Sequence, residues 1–77
     1  MTTGFVFINT GPKANRHVYD ELSKIKQITD LCPLLGDYDM LAKVQSEDFE
    51  TMRRIVAEKI RPIEGVVGTK TYTGMTT

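Results

Sequence analysis

The stretch LLGDYDMLAKV (residues 34–44) joins two apolar runs through a turn that carries a glycine and two acids. Gly36 is suited to the positive φ that a tight strand–strand turn requires, and Asp37 can bond its own backbone there. The runs on either side, ITDLCPLL (28–35) and YDMLAKVQ (38–45), are predicted to be strands. The centre of the chain is therefore expected to be a β-hairpin that turns at GDYD.

An amphipathic helix is predicted on each side of this hairpin. Before it, apolar residues at helical spacing over 14–25 predict a first helix, whose buried positions are Ala14, Val18, Leu22 and Ile25. After it, Ser46 is suited to an N-cap and Pro62 to a stop, so a second helix is expected between them. The buried stripe of this second helix is predicted to comprise Phe49, Met52, Val56 and Ile60, with Ile55 beside it.

The two ends of the chain are predicted to be the remaining strands. GFVFINT (4–10) precedes the first helix, and GVVGTKTYTG (65–74) follows the second. KIKQI (24–28) and KIRPI (59–63) recur at the same point of each half, so each half is one strand–helix–strand unit. Two interleaved units predict a ferredoxin-like α+β fold, ordered β-α-β-β-α-β, with an antiparallel four-stranded sheet and both helices on one face. Pro33 cannot donate to a sheet ladder, so the second strand is expected at an edge or to carry a bulge.

The first strand is apolar on both of its faces. Phe5 and Phe7 point to one side, and Val6 and Ile8 point to the other. The helices can cover only one of these pairs, so the other lies on an open sheet face, and an exposed apolar surface of this kind marks an interface. Face-to-face packing of two copies is the simplest way to cover it, so we expect a homodimer of the dimeric α+β barrel type.

Composition limits the functions open to this chain, which is expected to form one domain over residues 1–77. Ten basic and ten acidic residues give a net charge of zero, so the chain lacks the surplus of Lys and Arg on which nucleic-acid binding depends. Cys32 is the only cysteine and His17 the only histidine, so neither a disulfide framework nor a Cys/His metal site is expected. No apolar run approaches the ~18 residues that span a membrane, and the first residues lack the basic region of a signal peptide. We therefore expect a cytoplasmic protein with no membrane contact.

Two groups of residues are candidates for a ligand site. In the GDYD turn, backbone N–H groups can bind a carboxylate while acid side chains or carbonyls take an ammonium, and an α-amino acid carries both charges. Thr69 and Thr71, with Thr73 beyond them, share one face of the last strand and offer hydroxyls. Each group also has a purely structural reading, because glycine and aspartate favour turns and threonine favours strands. Cys32 is expected to be a buried small hydrophobe and His17 a solvated helix residue, so no catalytic set can be built from them.

The segment GDYDMLAKV (36–44) resembles the Gly-x-Tyr-Asp-hydrophobic signature of the RAM domain, the C-terminal domain of Lrp/AsnC transcription regulators. The similarity covers nearly the whole chain, with FVFINTG (5–11) at its start and IRPIEGVVGTKT (60–71) near its end. It implies dimers that assemble into rings, commonly octamers, with amino-acid effectors held between dimers. The positions that match the family's effector site are Gly36, Asp37, Tyr38, Asp39, Thr69 and Thr71. The chain departs from the family pattern at PKANRH (12–17) and at Thr73-Gly74.

With this resemblance, the chain is expected to be a stand-alone RAM domain that has no helix-turn-helix. Its expected function is to bind amino-acid effectors as an oligomer and to modulate a partner such as a full-length Lrp/AsnC regulator. No catalysis, cofactor, metal or direct nucleic-acid contact is expected. Two other readings stay open, a small dimeric α+β barrel enzyme of the monooxygenase type and an ACT-like regulatory domain. The first needs catalytic groups around a cavity, and the chain has no tryptophan and one histidine to supply them.

Overall fold

The chain folds in the predicted order, β-α-β-β-α-β. The computed structural model describes residues 1–75. Its strands are β1 (Thr2–Thr10), β2 (Ile28–Pro33), β3 (Met40–Ser46) and β4 (Val66–Met75). Its helices are α1 (Asn15–Leu22) and α2 (Phe49–Ile55), and α2 continues as a π-helix over Val56–Ile60. Within these described residues, no helix has the length and apolarity that crossing a membrane requires.

One antiparallel sheet contains all four strands in the order β2-β3-β1-β4. β1 is central, with β3 on one side and β4 on the other. β2 is an edge strand, as Pro33 predicted, and its pairing with β3 also shifts register between Ile28 and Asp30. The sheet order and the two helices confirm the ferredoxin-like α+β fold.

The core lies between the two helices and the sheet face that carries Val6 and Ile8, both of which are fully buried. The buried apolar side chains are Val6, Ile8, Val18, Leu22, Met40, Ala42, Val44, Met52, Ile55, Val56 and Ile60. Burial of each large apolar side chain contributes ~1.5–3 kcal/mol, so this cluster holds both helices to the sheet. Gly4 lets α2 approach β1 closely, because a Cβ at that position would lie 2.7 Å from the Sδ of Met52.

The ends of the helices differ from the predicted bounds. α1 stops at Leu22, and Ile25 packs on the core from the turn that follows. The N-cap of α2 is Asp48 rather than Ser46, because Oδ1 of Asp48 accepts the backbone N–H of Thr51 at 2.8 Å. That hydrogen bond holds the pKa of the Asp48 carboxyl below its ordinary value. Ser46 instead donates its hydroxyl to the backbone carbonyl of Asp48 at 2.8 Å.

Two predictions of buried side chains were wrong. Phe49 is 44% exposed, because it is the first residue of α2 and its ring lies beside a surface groove instead of in the core. Cys32 is exposed on β2. It pairs with Leu41, which in turn pairs with Phe7, so Cys32 belongs to the sheet face that the helices leave open. His17 is exposed on α1, as expected.

Candidate functional site

The GDYD turn occupies residues 34–39, between the end of β2 and the start of β3. The backbone N–H of Leu34 donates to the carbonyl of Asp39 at 2.8 Å and closes the turn. Gly36 has φ 140°, a conformation that L side chains rarely adopt, although open space surrounds it. The backbone conformation, not crowding, therefore requires glycine here. The sequence predicted residues 34–35 and 38–39 to be strand, whereas the structure places them in the turn. Both strands of the hairpin are therefore shorter than expected.

Asp39 fastens this turn to the end of β1. Its Oδ2 accepts the backbone N–H of Thr10 at 2.7 Å and the Thr10 hydroxyl at 3.2 Å. Its own backbone N–H donates to the carbonyl of Ile8 at 3.0 Å. Hydrogen bonds to an ionised carboxylate are stronger than those between neutral groups. The Asp39 carboxylate thus has a structural role within one chain.

Asp37 and Leu35 form the exposed tip of the turn. The Leu35 side chain is 103% exposed, and Asp37 is also exposed. Within the described part of the chain, neither side chain has a hydrogen-bond or ion-pair partner. The tip therefore offers one carboxylate and one apolar side chain to a molecule outside the subunit.

Tyr38 extends the turn onto the open sheet face. Its ring centroid lies 5.4 Å from that of Phe7, with the planes at 49°. Phe7 also meets Tyr72 of β4 edge-on, at 5.8 Å and 88°. The Lys70 ammonium lies 5.6 Å from the centroid of the Tyr72 ring, and its hydrogen bond with the Tyr72 side chain raises the pKa of Lys70. Phe5, 41% exposed, lies on the same face of β1, so the phenylalanine pair takes the open face and the Val6/Ile8 pair the core.

Thr69 and Thr71 lie on the opposite side of the sheet from this aromatic group. In the β1–β4 pairing they stand across from Ile8 and Val6, whose side chains face the helices. Thr69 Oγ1 accepts a hydrogen bond from Nε of Arg61 at 3.3 Å. Within one chain, Tyr38 and the two threonines therefore lie on opposite sides of the sheet, while the Asp39 carboxylate bonds Thr10 at the end of β1. Among the described residues, no hydrogen bond or ring contact joins the turn to Thr69 or Thr71.

A groove that the sequence did not predict runs between α2, with its π-helical continuation, and β4. Its volume is about 610 Å³. Met52, Val56 and Ala57 line it from the helix, and Thr71 and Thr73 line it from the strand. The alternating threonines were the visible signal, but alternation alone did not say which side of the sheet they take.

The family model described as "Lrp/AsnC ligand binding domain" matches residues 3–77. The chain belongs to this family. An uncharacterised HTH-type transcriptional regulator of Pyrococcus abyssi is 33% identical to this Lrp/AsnC domain over 79 residues, covering 99% of it and 53% of the regulator. The domain thus spans about half the length of the curated relatives that it matches.

Solved structures agree with this membership. A protein of Thermus thermophilus superposes with a TM-score of 0.93 and 26% identity, covering 100% of this Lrp/AsnC domain and 96% of that chain. A transcriptional regulator of Neisseria meningitidis, solved as an L-Met complex, superposes with a TM-score of 0.86 and 16% identity, covering 97% of this domain and 50% of that chain. At 16% identity the second likeness shows a shared fold. The resemblance that rested on GDYD is confirmed.

Proposed function

We propose that this Lrp/AsnC domain is an oligomeric sensor of small amino acids that modulates a partner, such as a full-length Lrp/AsnC transcription regulator. The observation that carries the proposal is the family match to a ligand-binding domain over residues 3–77. The L-Met complex of the Neisseria meningitidis regulator supports an amino acid as the type of effector. Such a sensor would act in the cytoplasm, without catalysis, where transcription regulators meet their targets.

The proposed assembly begins with a homodimer packed through the open sheet face. Phe5 and Phe7 of β1 and Leu41 of β3 supply apolar area at its centre. Asp30 and Lys43 stand opposite each other on β2 and β3 and supply a polar margin. An apolar centre with a polar rim is the common anatomy of protein interfaces. Further association of these dimers would give a ring, for which we propose an octamer.

The proposed effector site combines the turn residues Gly36, Asp37, Tyr38 and Asp39 with Thr69 and Thr71. Because no hydrogen bond or ring contact joins the turn to the threonines among the described residues of one chain, the site would take the turn from one subunit and the threonines from another. Asp37 is the acid available for a ligand ammonium, since Asp39 already bonds Thr10. An exposed turn tip that becomes covered only on assembly suits a site between dimers.

Calorimetric titration of the purified chain with each common amino acid tests this proposal. We expect binding heat from at least one of them and weaker binding in the Asp37→Ala variant. Arg16→Ala, an exposed charge on α1, serves as a matched control and should bind as the wild type does. Absence of heat from every amino acid at millimolar concentration would contradict the proposal.

A further inference from the structure

The open sheet face has a hollow on the side of β2 and β3. The volume of this hollow is about 70 Å³. Its lining combines apolar and charged side chains, namely Phe5, Asp30, Cys32, Leu41 and Lys43. Among the described residues, Oδ1 of Asp30 accepts the backbone N–H of Leu31 at 3.0 Å, and Oδ2 has no partner. The hollow therefore offers apolar walls and a carboxylate oxygen that can accept a hydrogen bond.

The other half of this face, on the side of β1 and β4, carries aromatic rings. The Tyr72 ring meets Phe7 edge-on at 5.8 Å and is 52% exposed. Tyr38 also packs against Phe7, with the ring centroids 5.4 Å apart. A half-exposed tyrosine suits an interface, because its ring packs on apolar groups while its hydroxyl takes a polar partner. Tyr72 is therefore the side chain of this half that best fits a hollow on another molecule.

The strand register places the hollow and Tyr72 at the two ends of one row across the sheet. From the β2 edge to the β4 edge, the cross-strand pairs of this row join Asp30, Lys43, Phe5 and Tyr72. A two-fold axis parallel to the strands, lying between two facing sheets, reverses such a row end for end in the second copy. Tyr72 of each subunit then lies over the Asp30 end of the other subunit.

A two-fold axis across the strands gives a poorer fit. It places β2 over β2 and β4 over β4, so the two hollows face each other and the rings of one copy meet the rings of the other. Facing hollows leave a space in which the lining atoms lose their packing contacts. The axis parallel to the strands fills both hollows at once, as the dense packing of a stable interface requires.

We infer that the proposed dimer has its two-fold axis parallel to the strands and that Tyr72 of each subunit occupies the hollow of the other. The Tyr72 hydroxyl donates to the partner's Asp30, and the Tyr72 ring packs against the apolar walls of the hollow. The occupant of the hollow is a second copy of this chain, because one face supplies both the ring and the hollow that receives it. This inference rests on the proposed function, because it gives the arrangement of the dimer with which the proposed assembly begins.

Chemical linking through the native Cys32 tests this orientation. The neighbouring row of the open face runs from Cys32 on β2, through Leu41 and Phe7, to Lys70 on β4. In the inferred dimer, residue 70 therefore lies over the partner's Cys32, and a short bis-maleimide should link Lys70→Cys into dimers. The wild type should not be linked, because its two Cys32 residues lie at opposite edges of the interface, about 14 Å apart at ~4.8 Å per strand. Lys70→Cys combined with Cys32→Ser is the matched control and should not be linked either.

A charge exchange tests the contact between Tyr72 and Asp30. Tyr72→Asp places a carboxylate over the partner's Asp30, and we expect it to raise the Kd of the dimer at least about tenfold, measured by sedimentation. Adding Asp30→Lys to that variant makes the facing charges opposite and should restore most of the lost affinity. A purely structural role of Tyr72 within its own subunit would give no such rescue.

The outcomes separate this inference from the proposed function. If the wild type sediments as a dimer or larger, three results would each overturn the inference while the proposed assembly stands: linking of the wild type through Cys32 alone, failure of Lys70→Cys to link, or absence of rescue by Asp30→Lys. A monomeric wild type would contradict both the inference and the proposed dimer. Amino-acid binding is measured by the separate titration, so failure of the sensor function leaves these results readable.

Discussion

The backbone N–H of Thr10 donates to Oδ2 of Asp39 at 2.7 Å, which joins the end of β1 to the start of β3. One carboxylate thereby connects the end of the GDYD turn to the central strand of the sheet. Asp37, two residues earlier, is exposed and has no such partner in the described chain. The two acids of the turn therefore differ in role, one holding the backbone and the other open to a ligand.

Substitution of these two acids should separate structure from binding. Asp39→Ala removes the acceptor of both Thr10 hydrogen bonds, and we expect the free energy of unfolding to fall by about 1.5–3 kcal/mol. Asp37→Ala should change the free energy of unfolding by less than about 0.5 kcal/mol, as is usual for exposed positions. Urea denaturation at one protein concentration measures both. Equal destabilisation by the two variants would contradict this division of roles.

A charged substitution on the open sheet face should prevent the proposed dimer from forming. Phe5→Glu places a carboxylate among the exposed aromatic and apolar groups of that face, and an uncompensated buried charge is costly. We expect the variant to sediment as a folded monomer at micromolar concentration. Tyr19→Glu is the control, because Tyr19 is 37% exposed on α1, away from that face, and this variant should keep the wild-type mass. A folded wild-type monomer at the same concentration would refute the dimer.

The N-cap of α2 predicts a pH dependence of stability. The Thr51 hydrogen bond lowers the pKa of Asp48 from its ordinary 3.8, so the folded state favours the ionised carboxylate. This contribution is present above pH 3.8 and is lost as the pH falls through the lower pKa of the folded protein. Asp48→Ala should melt below the wild type at neutral pH, and the gap should close in acid.

Asp48→Asn provides the matched comparison for that measurement. Asparagine caps helices about as well as aspartate but does not titrate, so this variant should keep most of the neutral-pH melting temperature. Its melting temperature should also change less than that of the wild type over the acid range. A gap between Asp48→Ala and wild type that stays constant from neutral pH into acid would contradict the assigned cap.

The sequence predicted the order of the elements because hydrophobic period and turn residues are local signals. Pro33 predicted an edge strand for the same reason, since its missing donor excludes it from a ladder with two neighbours. The N-cap was misplaced because Ser46 and Asp48 have equivalent cap chemistry, and only the path of the chain after β3 selects between them. Local signals therefore identified the helix but not its first residue.

The residues of the candidate site were proposed from the sequence, but their arrangement in space could not be. Alternation placed Thr69 and Thr71 on one face of β4, yet the face itself follows from their pairing with Ile8 and Val6 of β1. That register is a long-range property. The same holds for the hydrogen bond from Nε of Arg61 to Oγ1 of Thr69, because it joins the end of the second helix to β4. The sequence shows which side chains are able to bind a ligand, but it does not show which of them lie on the same surface of the folded chain.

In this proposal an amino acid binds between dimers, so its binding must favour the assembled ring. The most direct measurement is sedimentation of the wild-type protein with and without each common amino acid at millimolar concentration, with thermal melting of the same samples. We predict that at least one amino acid raises both the assembled fraction and the melting temperature. Unchanged mass and unchanged melting with every amino acid would contradict the sensor function.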